Sequence, residues 1–239
     1  MTPLNLPKLC DGCHCPFTVA HALSCMKGGL VIMRHNEMRN DLISVCQTCF
    51  AKGAVRDEPI IKTVVDPFNK RPEAVDPPCA DDPTPEVTTK AEDLRGDLLV
   101  RNMWRNGTSC ILDVRMTDTD AKSYRGRNPH RVIESQEREK KKKHLELCLE
   151  QRRDFTPFVV SVDGLFGKEA KAVIRRLASL LSEKWSRPYS QVCGYLKTRF
   201  SITAVRATHL CLRGSRIPAD TISNRIPQWE DGAGLRLWC

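Results

Sequence analysis

Four potential metal ligands lie close together near the start of the chain, and their spacing constrains the local fold more than any other feature. Cys10, Cys13, His21 and Cys25 form the pattern Cys-x2-Cys-x7-His-x3-Cys. Zn2+ takes four tetrahedral sulfur and nitrogen ligands. Two cysteines separated by two residues can bind one edge of the ion from a tight turn, which Gly12 eases. His21 and Cys25 share one face of a helical turn and can bind the opposite edge.

The exact ligand set has alternatives. His14 and Cys15 lie inside the same stretch and are spare candidates. Cys46 and Cys49 could complete a four-cysteine site with the first two cysteines, but thiols one helical turn apart more often pack as small hydrophobic groups. The pattern predicts a zinc knuckle over residues 1–30 that holds a structural Zn2+.

The composition excludes a membrane protein and favours a polyanionic partner. The 239 residues have 41% hydrophobic content and a mean hydropathy of -0.39, without the ~18-residue apolar run of a membrane-spanning helix. The formal charge of +9 and the pI near 9.0 suit DNA or RNA. Twelve cysteines without a secretory leader favour thiols and metal ligands in a reducing compartment. We therefore expect an intracellular protein, nuclear or cytoplasmic; no particular protein partner is indicated.

Hydrophobic periodicity and turn signals predict an alternation of helices and strands. The predicted helices cover 34–52, 132–153, 168–185 and 190–212, and the predicted strands cover 55–65, 97–102, 110–117 and 158–162. Asn106-Gly107 predicts a hairpin turn between the second and third strands. Ile133, Leu145, Cys148 and Leu149 are expected to face the core from the second helix.

This order of elements predicts an α/β protein in which helices pack against a mixed sheet. The α/β domain is expected over residues 31–189, followed over 190–239 by a C-terminal helix and an irregular tail. The stretch 66–92 is rich in proline and in acidic and small residues. It predicts an exposed, partly disordered insertion into the domain.

Two aspartates are placed to meet at one end of the sheet. Asp97 opens the second predicted strand and Asp113 lies within the third, so pairing of these strands can bring both carboxylates together. A hard divalent cation such as Mg2+ relieves the repulsion between neighbouring carboxylates. Glu58 is a plausible third acid, and the lysines at 140–143 offer a positive charge that could stabilise a phosphodiester transition state.

These residue types also have simpler interpretations. An aspartate at the end of a strand often caps a turn, and a run of lysines on a helix is usually a solvated face. Asp118 and Asp120 compete with the other aspartates for the role of metal ligand.

The motifs occur in a particular order along the chain. They are Cys10-x2-Cys13-x7-His21-x3-Cys25, Arg34-His35-Asn36, Glu58-Pro59, Asp97, Asp113-Val114-Arg115 and the lysine-rich helix. Together they resemble the C-terminal region of non-LTR retrotransposon polyproteins. The relevant elements are the early-branching, often site-specific ones, whose reverse transcriptase is followed by a zinc knuckle and a restriction-like endonuclease. The resemblance covers residues 8–165.

The resemblance implies a PD-(D/E)XK nuclease with a helix-strand-strand-strand-helix-strand core. Gly96-Asp97 corresponds to the family's Pro-Asp, and Asp113 corresponds to its second acid, with Mg2+ held by the two aspartates. The implied catalytic residues are Glu58, Asp97, Asp113, Lys140 and Lys143. The residues expected to contact nucleic acid are Arg34, His35, Lys141 and Lys142.

Three positions depart from the family pattern. Gly96 replaces a proline, Arg115 stands where many nucleases of this class carry a catalytic lysine, and His144 replaces a tyrosine. No Tyr-x-Asp-Asp or comparable reverse-transcriptase signature occurs, so we expect a fragment, a truncated copy or a gene derived from such an element. The resemblance predicts a DNA endonuclease that nicks a target site; the alternative is a catalytically inactive, nucleic-acid-binding relic.

Overall fold

The computed structural model describes residues 6–62 and 94–217, and it shows a mixed α/β fold. The helices are α1 (Val19–Ser24), α2 (Leu30–Cys49), α3 (Pro129–Glu150), α4 (Lys168–Trp185) and α5 (Tyr189–Arg213), with 3-10 turns at Lys27–Gly29 and Lys122–Tyr124. The strands are β1 (Val55–Asp57), β2 (Ile60–Lys62), β3 (Leu94–Arg95), β4 (Leu98–Arg101), β5 (Ser109–Thr117) and β6 (Arg153–Ser161). The predicted insertion over 66–92 and the tail beyond 217 lie outside the described residues.

The main sheet has four strands in the order β1-β4-β5-β6. The predicted antiparallel hairpin is confirmed, because β4 pairs with β5 through Val100 opposite Cys110. Its loop is longer than a two-residue turn: the amide of Gly107 donates to the side chain of Asn102 at 2.8 Å. Strand β6 runs parallel to β5, and α3 makes the crossover that a parallel pair requires.

The predicted strand over 55–65 is wrong in one respect, because the chain breaks it into two short strands in different sheets. Strand β1 joins the main sheet, whereas β2 pairs with β3 in a separate two-stranded sheet. Glu58 stands at the break with a positive φ of 42°, and Pro59 has no amide to donate to a ladder. The turn between β1 and β2 therefore follows from the Glu58-Pro59 dipeptide.

Helix α3 begins and ends earlier than predicted. Asn128 caps it by accepting from the amide of His130 at 2.9 Å, and Pro129 at the first position fits because its missing N–H would have no helical partner. The helix ends at Glu150, and Arg152, with a φ of 55°, turns the chain into β6. The expected inward orientation of Leu149 is wrong, since this side chain is 56% exposed.

Helices cover both faces of the main sheet. The larger core packs the apolar sides of α2, α4 and α5 against one face, with Met38, Phe158 and Phe200 fully buried. The smaller core lies on the face covered by α3 and joins Ile111 and Cys148. Within the described ranges, no helix combines the length and apolar character needed to cross a bilayer.

Candidate metal centre and acidic cluster

Short-range contacts shape the N-terminal segment that carries the four predicted ligands, residues 10–25, which is called the metal module below. The amides of Cys10 and His14 bond to the carbonyls of Cys15 and Cys10, each at 2.9 Å, and close the turn around the first two cysteines. Thr18 begins α1 by accepting from the amide of His21 at 3.1 Å. These contacts fix a cysteine turn and a short helix facing each other.

The four predicted ligands converge in this module. One donor atom from each of Cys10, Cys13, His21 and Cys25 lies within 4.8 Å of all the others. The Sγ atoms of Cys10 and Cys25 are 3.9 Å apart, as are those of Cys13 and Cys25, and Sγ of Cys13 is 3.3 Å from Nε2 of His21. Zn–S bonds of ~2.3 Å in a tetrahedron separate sulfur atoms by about 3.8 Å. The cluster therefore has the size and ligand chemistry of a zinc site.

The electrostatics of the module favour a thiolate at Cys10. Burial acts to raise its pKa, but the amide of Gly12 and the side chain of His21 oppose this and bring the pKa down to about 6. A thiolate is the form of cysteine that binds metals. The alternative cysteines lie elsewhere: Cys46 is fully buried in the larger core, and desolvation holds its pKa well above the usual range.

A buried arginine attaches this module to the end of α5. Nη2 of Arg216 donates to the carbonyl of Ala22 at 3.1 Å and to that of Cys211 at 2.6 Å. Its guanidinium lies 5.2 Å from the centre of the Phe17 ring, and its amide donates to Asp11 at 2.8 Å. Arg216 is only 3% exposed. The metal module therefore packs as part of the fold, although Arg216 follows it by some two hundred residues of sequence.

Arg34 makes a second attachment, from α2. It is buried, and its Nη1 donates to the carbonyl of Leu23 at 3.1 Å. One guanidinium nitrogen of Arg34 is therefore bound to the protein backbone, and its contact with nucleic acid stays a prediction.

The second cluster forms where β4 begins beside the middle of β5. Asp97 precedes β4, and its Oδ2 accepts from the amide of Val114 at 2.5 Å. Its Oδ1 lies 2.9 Å from Nε2 of His35 on α2. Asp113 of β5 is buried, and the pairing of Leu98 with Leu112 places it across from Asp97. Oδ2 of Asp113 is 2.7 Å from Nζ of Lys140 on α3.

The two carboxyl groups have opposite pKa shifts. Burial raises the pKa of Asp113 to about 6, and the charge of Asp97 adds to the rise against the opposing effect of Lys140. Burial also acts to raise the pKa of Asp97, but its contacts with His35 and Val114 outweigh burial and hold the pKa below the usual value. Neighbouring carboxyl groups in a water-poor site behave in this way when one keeps its charge more readily than the other. Two adjacent oxygen donors of this kind fit a hard divalent cation.

The structure separates the four consecutive lysines. Lys140 turns to the acidic cluster, while Lys141 forms an ion pair of 2.5 Å with Glu169. Lys142 and Lys143 are exposed. Lys140 is therefore the member of the predicted lysine set that lies at the acidic pair, whereas Lys143 does not contact it.

Other predicted residues lie beside the cluster without joining it. The backbone of Glu58 bonds to the carbonyl of Asp97 at 3.0 Å, but its carboxylate binds Arg39 at 2.6 Å. Arg115 stands two residues after Asp113 on β5, and its Nη1 binds Glu139 at 3.0 Å. The positive charge at Asp113 therefore comes from Lys140 on the helix, and not from Arg115 on the strand.

Two departures from the expected pattern have structural explanations. A Cβ on Gly96 would lie 2.5 Å from Cγ2 of Ile111, so the close approach of β5 leaves no room for a side chain there. His144 is buried one turn after Lys140, packed against Phe155 with ring centres 5.4 Å apart. Desolvation lowers the pKa of His144 to about 4, with the nearby lysines adding to the effect. The spacing 140–144 is the sequence signal that could have identified this inward-facing pair.

Comparison of the chain with protein-family models and with curated proteins gives no match.

Proposed function

We propose that this protein is a metal-dependent DNA endonuclease of the restriction-like class, derived from a non-LTR retrotransposon of the kind described above. The observation that carries the proposal is the meeting of Asp97, Asp113 and Lys140 at one point of the sheet, with Lys140 Nζ 2.7 Å from Asp113. Two carboxylates and an ammonium group are the parts needed to bind a hard cation and to stabilise charge on a phosphate. The order α2, β1, β4, β5, α3, β6, in which the separate β2–β3 pair follows β1, also supports the restriction-like core.

The chain's own residues have distinct tasks in this proposal. A bound Mg2+ would supply Lewis-acid polarisation of the phosphodiester and lower the pKa of the attacking water. Asp97 and Asp113 would hold the cation. His35 and the Val114 amide orient the Asp97 carboxylate, and Lys140 is the group placed to stabilise negative charge that develops on the phosphate.

The four-ligand module supports the same function. A zinc module in a basic chain suits a nucleic-acid-binding protein, and the attachments through Arg34 and Arg216 hold it on the body that carries the acidic cluster. The module would bind a structural Zn2+ and help to position nucleic acid on the protein.

Cleavage of supercoiled plasmid tests the proposal. Purified protein with Mg2+ should convert it to the nicked form, and Asp97→Asn, Asp113→Asn and Lys140→Gln should each abolish nicking. Asp57→Asn is a matched control, because this acid lies on the neighbouring β1 but is 55% exposed. The enzyme proposal would be refuted if the plasmid stays intact with Mg2+ or Mn2+, or if Asp57→Asn loses as much nicking activity as the three variants.

A non-catalytic nucleic-acid binder is the second candidate. The observation that favours it is that both oxygens of Asp97 already have partners, His35 and the Val114 amide. If these contacts leave no oxygen for a cation, the fold still presents its basic surface to phosphates. DNA binding that is unchanged by Asp97→Asn, together with uncut plasmid, would support this candidate.

A further inference from the structure

Exposed cations concentrate at the end of the connection between β5 and α3 and in the first turn of α3, a stretch over residues 121–131 that is referred to below as the loop. Residues 121–131 contain Lys122, Arg125, Arg127 and Arg131 and no acidic residue, and Asp118 and Asp120 directly precede them. All four side chains are exposed, and none forms an ion pair within residues 6–62 and 94–217. By contrast, half of the lysine run at 140–143 is engaged with acidic side chains. Within the described part of the chain, residues 121–131 therefore carry four unpaired cations, whereas the lysine run that the sequence singles out carries two.

Internal contacts hold this loop in place. The hydroxyl of Tyr124 accepts from Nε2 of the buried Gln136 at 3.1 Å. The amide of Arg127 donates to the carbonyl of Tyr124 at 2.9 Å, and Asn128 caps the helix that follows. Cations on a fixed loop lose little conformational freedom when a ligand arrives, which favours binding.

The loop and the metal module form one face of the protein. A cleft of about 650 Å³ lies between them, with Thr18 and His21 on one side and Lys122 and Ser123 on the other. Asp118 lies at the base of the loop and also lines this cleft. Because the carboxylate of Asp118 would repel a polyanion, we expect the polyanion to contact the exposed cations of the loop and not the interior of the cleft.

We propose that the loop over residues 121–131 binds the phosphate backbone of duplex DNA beside the metal module. This inference rests on the proposed function for the choice of nucleic acid as partner. Single-strand binders stack bases on exposed aromatic rings, whereas the tyrosine of this loop is half-buried and its hydroxyl is bound to Gln136. Fixed cations beside a tyrosine that is partly covered and held by Gln136 suit a duplex, whose bases are already stacked.

The salt dependence of binding tests the loop directly. The variant Lys122→Gln/Arg125→Gln/Arg127→Gln removes three cations, and fluorescence anisotropy with a labelled DNA duplex measures affinity between roughly 0.05 and 0.2 M salt. Each lost phosphate contact should lower the slope of log K against log salt by about 0.9, so the expected change is about 2.7. The loss of affinity near 0.1 M salt should be on the order of 100-fold.

A second triple variant is the charge-matched control. Arg187→Gln/Lys197→Gln/Arg206→Gln removes the same charge from exposed positions outside the loop. Its slope should stay close to that of the unchanged protein. An unchanged slope in the loop variant, or an equal fall in both variants, would overturn the proposal. Thermal unfolding of both variants verifies that each remains folded.

Two further arms separate the alternatives. Single-stranded RNA of the same length should bind more weakly than the duplex and respond less to the loop variant; the opposite ranking would overturn the assignment to DNA. The binding assay uses protein loaded with Zn2+ in buffer without Mg2+, so that binding is measured without cleavage. A protein that fails to nick plasmid but binds through the loop would refute the endonuclease and retain this surface.

Discussion

Replacing Lys140 by glutamine removes the positive charge 2.7 Å from Oδ2 of Asp113. The side chain of Asp113 is 7% exposed and that of Lys140 is 22% exposed, so water screens the pair only partly. Loss of one partner from a buried ion pair costs about 3–5 kcal/mol. We expect Lys140→Gln to lower the free energy of unfolding by about 3 kcal/mol at pH 8, the lower end of this range, because the ammonium group retains some contact with water.

The cost should depend on pH in a defined direction. With a pKa raised to about 6, Asp113 is mostly protonated in the folded protein at pH 5. The lysine then interacts mainly with the charge of Asp97, and the cost should fall to roughly 1 kcal/mol. A raised carboxyl pKa favours folding below that pKa and loses this contribution as the pH rises. Lys140 acts to lower the pKa of Asp113, so its removal raises that pKa further. The free energy of unfolding of Lys140→Gln should therefore fall more than that of the unchanged protein between pH 5 and pH 8.

Urea denaturation at pH 5 and pH 8 measures both values. Lys142→Gln is the matched control, because it removes the same charge from an exposed position of the same helix. The double variant Asp113→Asn/Lys140→Gln should recover most of the lost stability at pH 8, since residue 113 then carries no buried charge and Asp97 keeps its contacts with His35 and the Val114 amide. An equal cost at the two pH values, or no recovery in the double variant, would refute the reasoning.

Three further changes test other parts of the structure. Arg216→Ala should lower the free energy of unfolding by about 3–5 kcal/mol, because buried carbonyls lose their charged donor; urea denaturation beside the exposed Arg206→Ala checks this. Gly167→Ala should cost about 1–3 kcal/mol, since its Cβ would overlap the Glu137 carboxylate; Gly194→Ala, where a Cβ meets nothing within 4 Å, should not lower the melting temperature. Chelation of the bound metal should lower the melting temperature, and added Zn2+ should restore it; no change on chelation would contradict a structural metal.

Local features of the fold were predictable because their cause lies in adjacent residues. The four ligands of the metal module lie within one short segment, so their spacing alone predicts that they can meet. Helix α4 has the predicted bounds, Lys168–Trp185, since its apolar residues recur at helical spacing and Gly167 precedes it. The sequence also predicts the pairing of β4 with β5, which brings Asp97 next to Asp113.

The remaining features depend on contacts that sequence periodicity does not contain. Helix α3 buries polar residues, Gln136, Glu137 and His144, so a search for apolar periodicity places Leu149 on the wrong side. Choosing Lys140 from four consecutive lysines requires the position of Asp113 on β5. The contact of Arg216 with the metal module joins opposite ends of the described chain, and no local pattern predicts it.

The pairing of β2 with β3 has a consequence for how the protein can change in length. Lys62 pairs with Leu94, so the last described residue before 63–93 lies beside the first described residue after it. Residues 63–93 could therefore be replaced by a short hairpin turn without separating the paired ends, and closing a longer connection costs only about 0.6 kcal/mol for each doubling of its length. This part of the gene can gain or lose codons while the strands around Asp97 keep their register.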